Sequence, residues 1–206
     1  MSRLIVFEGI DGSGKTSLSR LFVKYLNQKG VPAVWLREPT DSALGNKIRR
    51  VAQESEHISP QQELDYFIQD RRWDVEKNIL PALRAKKTVV LDRYFYSNAC
   101  YQGARGMDMN TIIDLNMSFA PRPDLTFIID VDVDRALARI RDSRSDMAKL
   151  FEKKDFLMKV RANYLQLTGP NLQFIDGNRD LGTVLAEIID HFEKIPSPND
   201  MSASQP

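Results

Sequence analysis

The run Gly9-Ile10-Asp11-Gly12-Ser13-Gly14-Lys15-Thr16 has the spacing G-x-x-x-x-G-K-[ST]. It follows the apolar stretch Leu4–Phe7 and leads into a helical pattern. That context predicts a loop for polyphosphate. Its glycines let successive backbone N–H groups face one concavity, and the next helix adds the positive end of its dipole. Lys15 is expected to reach the outer phosphates of a nucleoside triphosphate, ATP, and the Thr16 hydroxyl to ligate Mg²⁺. The nucleotide-binding set is therefore Gly9, Ile10, Asp11, Gly12, Ser13, Gly14, Lys15, Thr16 and Ser17. Ser17 stands where a dinucleotide fingerprint needs its third glycine, and no N-K-x-D run is present to read guanine. Binding a triphosphate does not by itself fix a reaction. A short chain with this loop and further basic residues favours phosphoryl transfer to a small acceptor.

Four other segments carry polar groups in suggestive places. Arg37-Glu38-Pro39 follows the second apolar run, with Arg49 and Arg50 in the next helical pattern. Phe67 and Arg71 are four apart, on one helix face. Asp92-Arg93-Tyr94 ends the third apolar run, followed by Ser97 and Tyr101-Gln102-Gly103. The stretch Ala138–Lys154 holds six basic residues, Arg139, Arg141, Arg144, Lys149, Lys153 and Lys154. Each has a plain alternative: Phe67 as core, the arginines and the basic stretch as solvated charge, Asp92-Arg93 as a surface turn pair, Tyr101-Gln102-Gly103 as an ordinary helix end. Their joint spacing carries the functional reading.

Something must hold these groups together. Short apolar runs, Leu4–Phe7, Ala33–Leu36, Thr88–Leu91, Leu125–Ile129 and Leu172–Ile175, alternate with helical stripes. Runs without polar alternation fit strands buried on both faces. Leu18, Leu21, Phe22, Tyr25 and Leu26 form a stripe closed by Gly30 and Pro32. Ser59-Pro60-Gln61-Gln62 predicts a capped helix start, and that helix is expected to reach the Lys86 region. The expected fold is α/β: a three-layer P-loop NTPase fold, its five-stranded parallel sheet flanked by helices. Ligands in such sheets sit outside the carboxyl ends of the strands, which brings Arg37, Asp92 and Arg93 beside the glycine loop.

The 206 residues suit one domain, expected over 1–195, with a polar, proline-rich tail at 196–206 read as disordered. A formal net charge of +1 implies no general attraction to nucleic acid or a membrane. No apolar run approaches a membrane span, and no signal-peptide pattern opens the chain. The single cysteine, Cys100, excludes an internal disulfide and is compatible with a reducing cytoplasm.

The strings "FEGIDGSGKT", "REP", "FIQDR", "DRYFYSNACYQG", "RPDLTFIIDV" and "FIDG" together resemble the thymidylate kinases, P-loop enzymes that convert dTMP and ATP to dTDP and ADP. The resemblance spans residues 3–193 and implies a short mobile lid at about 139–154. It implies that Phe67 stacks on thymine and Arg71 hydrogen-bonds the base. It implies that Arg37, Arg49 and Arg93 hold the acceptor phosphate, beside Glu38 of the same Arg-Glu-Pro run. Ser97 and Gln102 lie along the pyrimidine edge, and Tyr101 lies under the sugar, where it blocks a 2′-hydroxyl. Asp11 turns toward the 3′-hydroxyl or the phosphate arginines, since a carboxylate among donor phosphates would add repulsion. Asp92 sits near Mg²⁺. Some members carry an arginine in the glycine loop directly after the acid; this chain has Gly12 there, so Arg141 or Arg144 of the lid is expected to supply catalytic charge, with Arg139 structural or facing adenine. Members commonly have glycines after Arg-Glu-Pro, where this chain has Thr40 and Asp41. A homodimer is implied, through helices flanking the acceptor site. Kinases of another, or of several, (deoxy)nucleoside monophosphates remain the neighbouring alternative, and a non-catalytic nucleotide-binding module the more distant one.

Overall fold

The structure is a computed structural model; it describes residues 2–54, 58–140 and 147–195. Five strands, β1 (Leu4–Glu8), β2 (Ala33–Arg37), β3 (Thr88–Asp92), β4 (Leu125–Asp130) and β5 (Leu172–Asp176), form one parallel sheet in the order β2-β3-β1-β4-β5. All four pairings are parallel, with Phe7 opposite Asp92 and Phe127, and Arg37 opposite Asp92. The apolar runs located each strand. Each strand continues one residue further, to Glu8, Arg37, Asp92, Asp130 and Asp176. An apolar criterion stops at the first charge, whereas the backbone ladder does not. Those five charged residues line the carboxyl edge of the sheet.

Alternate side chains leave the sheet on opposite faces. Leu4, Val6, Val89 and Leu91 join one core cluster. Ile5, Phe7, Val90 and Phe127 join the other. Helices α1 (Lys15–Gln28) and α9 (Leu181–Glu193) cover the second face through Leu18, Phe22, Val184 and Ile188. The first face takes α5 (Phe95–Gly103) and α8 (Met147–Leu165), with α6 (Met109–Met117) behind them. Helices α2 (Ala43–Glu54) and α7 (Val133–Ile140) pack on α3 (Pro60–Asp74) and α8 respectively.

The helix starting at Ser59 is α3 (Pro60–Asp74), with its capping box formed: Gln62 N donates to Ser59 Oγ at 3.2 Å and Ser59 N to Gln62 Oε1 at 3.0 Å. It runs on through a π turn, Val75–Ile79, into α4 (Leu80–Arg84), close to the expected end. Pro81 lies just beyond that turn and has no N–H to give the helix ladder. Gly30 follows α1 in the left-handed region, φ +76°, as its position after the stripe requires. Cys100 is a buried, free thiol inside α5. Of the expected lid, Arg139 and Ile140 close α7 and residues 147–154 open α8; Arg141 and Arg144 lie outside the described residues, as does the tail from 196. Among the described residues no helix is long and apolar enough to cross a membrane.

Candidate active site

The glycine loop joins the carboxyl end of β1 to α1, at the middle of the sheet. Gly12 is held there by two constraints. Its φ is +79°, and a Cβ on it would lie 2.3 Å from the Ala136 carbonyl oxygen of α7. The loop therefore has no room for an arginine at this position. Lys15, nearly buried, donates to Ile10 O at 3.0 Å. Burial, aided by Arg93, pulls its ammonium down to about 8. Ser13 Oγ is buried without a partner among the described residues.

Thr16 Oγ1 donates to Asp92 Oδ2 at 2.5 Å, so β3 and the start of α1 meet. The other carboxylate oxygen, Asp92 Oδ1, is buried and unpartnered among the described residues. A hydroxyl and a carboxylate with a spare lone pair, beside a phosphate-binding loop, are hard oxygen donors of the kind Mg²⁺ takes. The pair expected to hold that ion therefore fits it.

Beside the loop lies a cavity of about 340 Å³, within the range of small-molecule sites. Of the expected acceptor-side residues, Asp11, Arg49, Phe67, Arg93, Ser97, Tyr101 and Gln102 line it. Arg93 is its hub. The residue turns the chain from β3 into α5 with φ +69°, a region long side chains rarely adopt. Its Nη2 donates to Asp11 Oδ1 at 2.6 Å and to Tyr101 Oη at 3.3 Å, and its Nη1 to Ser97 Oγ at 2.9 Å. Asp11 N also donates to Tyr101 Oη, at 3.0 Å. Burial raises the Asp11 carboxyl, but Arg93, Lys15 and Lys153 outweigh it and hold the group below the ordinary carboxylate range. Asp11 thus turns toward Arg93.

Arg37, Glu38 and Arg71 do not line this cavity. Arg37 pairs with Asp41 at 2.7 Å on the surface. Arg71 is buried, and its Nε and Nη2 donate to Glu38 Oε2 at 2.8 and 2.5 Å. Its Nη1 donates to Asn116 Oδ1 at 2.6 Å and, at 3.4 Å, to Asn98 Oδ1. Burial lifts the Glu38 carboxyl to about 8, against the pull of Arg71. Arg49 lines the cavity while donating to Pro39 O at 2.6 Å and pairing with Asp41 at 3.0 Å. Thr40, which replaces the family's glycine, is tied down: its N and Oγ1 donate to Asp70 at 2.7 and 2.6 Å.

Three contributors escaped the sequence reading. Asn98 lines the cavity with its Nδ2 buried and unpartnered among the described residues, as is Gln102 Oε1. Their four-residue spacing on α5 was the available signal. Lys153 belongs to the basic stretch, yet it faces the acceptor cavity from α8. Glu8 accepts from N–H groups at the start of α5, those of Tyr94 and Ser97; a charge between an apolar strand and the first loop glycine was its signal.

A second cavity, about 240 Å³, opens on the other side of the loop between Ser13, Ser17, Arg139 and Arg179. Arg139 bridges its walls: Nη1 donates to Gly12 O and Ser13 O at 3.2 and 3.3 Å, and Nη2 to Gly177 O at 3.2 Å. The glycine loop thus contributes to both cavities, Asp11 to the first and Ser13 and Gly14 to the second.

Comparison with known proteins agrees with this geometry. The family model described as thymidylate kinase matches residues 7–188. The chain is 42% identical over 185 residues to a probable thymidylate kinase of Archaeoglobus fulgidus, covering 90% of this chain and 92% of the relative. It is 38% identical over 187 residues to a thymidylate kinase of Desulfotalea psychrophila, covering 91% and 92%. The crystal structure of thymidylate kinase from Ehrlichia chaffeensis superposes with a TM-score of 0.76 at 31% identity, over 93% of this chain and 98% of that one. With the loop, the acceptor cavity and the sheet order all in place, this chain belongs to the thymidylate kinase family.

Proposed function

We propose that the protein transfers the γ-phosphoryl group of ATP to dTMP, giving ADP and dTDP. The observation that carries this is the acceptor cavity itself: the Phe67 ring, the Asn98 and Gln102 amide side chains and the Arg49 and Arg93 guanidinia line one space beside the phosphate loop. Phe67 offers the ring on which a base stacks, a contact that accepts any base. Choice of base then falls to edge hydrogen bonds. Asn98 Nδ2 is a donor and Gln102 Oε1 an acceptor, the pattern complementary to a thymine O4 and N3–H. Cytosine presents the reverse and would leave both atoms unpaired, a heavy penalty in a buried site. Arg71 acts behind this wall by fixing the Asn98 amide through its Oδ1. Ser97 and Tyr101 border the same space, Tyr101 beneath the sugar.

The chemistry asks little covalent work of the chain. The acceptor phosphate, with a second pKa of about 6, is already anionic at neutral pH, so no general base is needed. Arg93 and Arg49 hold it, the guanidinium fork matching two phosphate oxygens at once. The loop amides and Lys15 hold the donor phosphates, and Ser13, Arg139 and Arg179 flank the adenosine end. Thr16 and Asp92 would hold Mg²⁺, which would neutralise charge on the donor phosphates. Catalysis is then alignment and cancellation of charge. Since Gly12 leaves no room for a loop arginine, Arg141 or Arg144, both outside the described residues, supplies the remaining positive charge.

The domain reading, one unit over 1–195, is supported by two cores that share a single sheet. A homodimer would cover the exposed Trp73 of α3 and Leu115 of α6, on helices flanking the acceptor cavity. A cytoplasmic setting suits a buried thiol whose burial raises its pKa well above the ordinary value. ADP release that requires ATP and dTMP together tests the reaction; ATP turnover indifferent to dTMP would refute it.

A further inference from the structure

We propose that Glu8, the last residue of β1, is the positioning residue that holds Arg93 for the acceptor phosphate. The inference rests on the phosphoryl-transfer reading above and adds a residue to it. Glu8 is fully buried. Both its oxygens are occupied. Oε1 accepts from Tyr94 N at 2.9 Å and Ser97 N at 3.0 Å; Oε2 accepts from Ser97 Oγ at 2.5 Å and Tyr164 Oη at 2.9 Å.

These contacts enclose Arg93. The first residue of the turn into α5, Tyr94, offers no side-chain cap for the helix. In α6 and α9 the capping residue is local, Asp108 or Asp180. Here the cap is Glu8, which reaches across from a strand 86 positions earlier. Arg93 is in the left-handed region, and such a conformation persists only where its surroundings enforce it. Its own N donates to Phe7 O at 2.9 Å, and the next N–H, of Tyr94, is held by Glu8. The corner is therefore pinned to consecutive residues of β1.

The side chain is aimed by the same carboxylate. Burial raises the Glu8 carboxyl, against the pull of Ser97 and Arg93; in its ionised form it only accepts, and the Ser97 hydroxyl, which also lies 2.9 Å from Tyr164 Oη, gives its proton to Oε2. That leaves a Ser97 lone pair for Arg93 Nη1, at 2.9 Å. Asp11 takes Nη2. With both ends anchored, the guanidinium is held at a fixed place in the cavity wall. Glu8 also directly precedes Gly9, so one residue references both the phosphate loop and the acceptor arginine to β1. Tyr164 adds α8, which carries Lys153 and Phe156 to the cavity wall.

A helix cap alone would explain the stability contribution of Glu8 but not a dependence on Arg93. The test is dTMP-dependent ADP release by the full-length protein, with melting temperatures, for Glu8→Gln and Ser97→Ala, each with and without Arg93→Ala. Glu8→Gln is expected to lower kcat/KM for dTMP by roughly 10–100-fold while leaving KM for ATP within about twofold. In the Arg93→Ala background the same change should lower kcat/KM by less than about threefold, because the group it positions is gone. The drop in melting temperature should persist in both backgrounds. If Glu8→Gln does not fold, Ser97→Ala reads the same coupling, since a direct base contact by Ser97 would keep its effect without Arg93. Equal losses in both backgrounds, or no loss in either, would overturn the proposal. A wild-type protein without dTMP-dependent ADP release would sink the reaction itself, before any variant is made.

Discussion

Replacing Arg71 by alanine separates two roles for this residue. As a direct reader of the base it would sit at the cavity wall, and its loss would blur base choice with little effect on folding. The structure has it buried, with Glu38 on one side and Asn116 on the other. Glu38 also lies within reach of the charges of Asp70 and Asp74, and its Oε1 has no partner among the described residues. Removing the guanidinium leaves that carboxyl with like charges and strips Asn116 Oδ1 of its donor. Losing one member of a buried ion pair costs about 3–5 kcal/mol. For a chain of this size, each kcal/mol shifts Tm by about 2–4 °C, so a fall of about 6–20 °C is expected. The melt is best taken at pH 8.5, above the Glu38 value of about 8, where the pair is ionised. Arg71→Met with Glu38→Met should recover part of the fall, because an apolar pair needs no counter-charge. Asn98→Ala, in contrast, leaves the Arg71–Glu38 pair in place, so it should lower Tm less than Arg71→Ala yet reduce the preference for dTMP over dCMP. If Arg71→Ala melts within about 2 °C of wild type, below the shift of even one kcal/mol, while losing base preference, the buried-pair reasoning is wrong and Arg71 is the reader.

Tyr101→Ala should raise kcat/KM for the ribo-analogue relative to dTMP, whereas Tyr101→Phe keeps the ring and should keep the ratio; an unchanged ratio in the alanine variant removes Tyr101 from this role. Burial raises the Glu38 carboxyl to about 8, above its ordinary value of 4.5, so the native state binds more protons than the unfolded chain between those values and stability falls as pH rises through them. Glu38→Gln should flatten that fall in denaturant melts from pH 5 to 8.5, leaving the smaller decline from Asp74, raised to about 6 by burial; an identical slope would contradict the assignment. Among the lid arginines, either Arg141→Ala or Arg144→Ala should lower kcat by roughly 10²–10⁴-fold with Tm unchanged. Arg139→Ala should instead weaken ATP binding, because Arg139 bonds the loop carbonyls. If all three variants and the Arg141/Arg144 double variant keep kcat within about threefold, the lid does not supply the charge.

The sheet was legible because each buried strand is a short apolar run, and the loop because its glycines and lysine have fixed spacing. Arg93, Phe67, Tyr101 and Gln102 were legible through joint spacing, and the cavity brings them together. What stayed hidden was direction. Four-residue spacing puts Phe67 and Arg71 on one side of α3, yet Arg71 ends behind the wall because Glu38, from the loop after β2, meets it there. Such a contact depends on tertiary placement of a distant loop, which has no local signature. Thr40 in place of glycine likewise made sense only once Asp70 was seen to hold it. Glu8 was hidden for the same reason, its four partners coming from residues 94, 97 and 164.

The most direct measurement is ADP release from Mg-ATP by the purified full-length protein, with dTMP, dUMP, dCMP, dGMP and UMP offered in parallel. Release that depends on dTMP, with dTDP formed in equal amount and kcat/KM for dTMP above that for every other acceptor, is the expected result. ATP turnover that ignores the acceptor, or a higher kcat/KM for dCMP or dGMP than for dTMP, would contradict the assignment of the cavity to thymidylate.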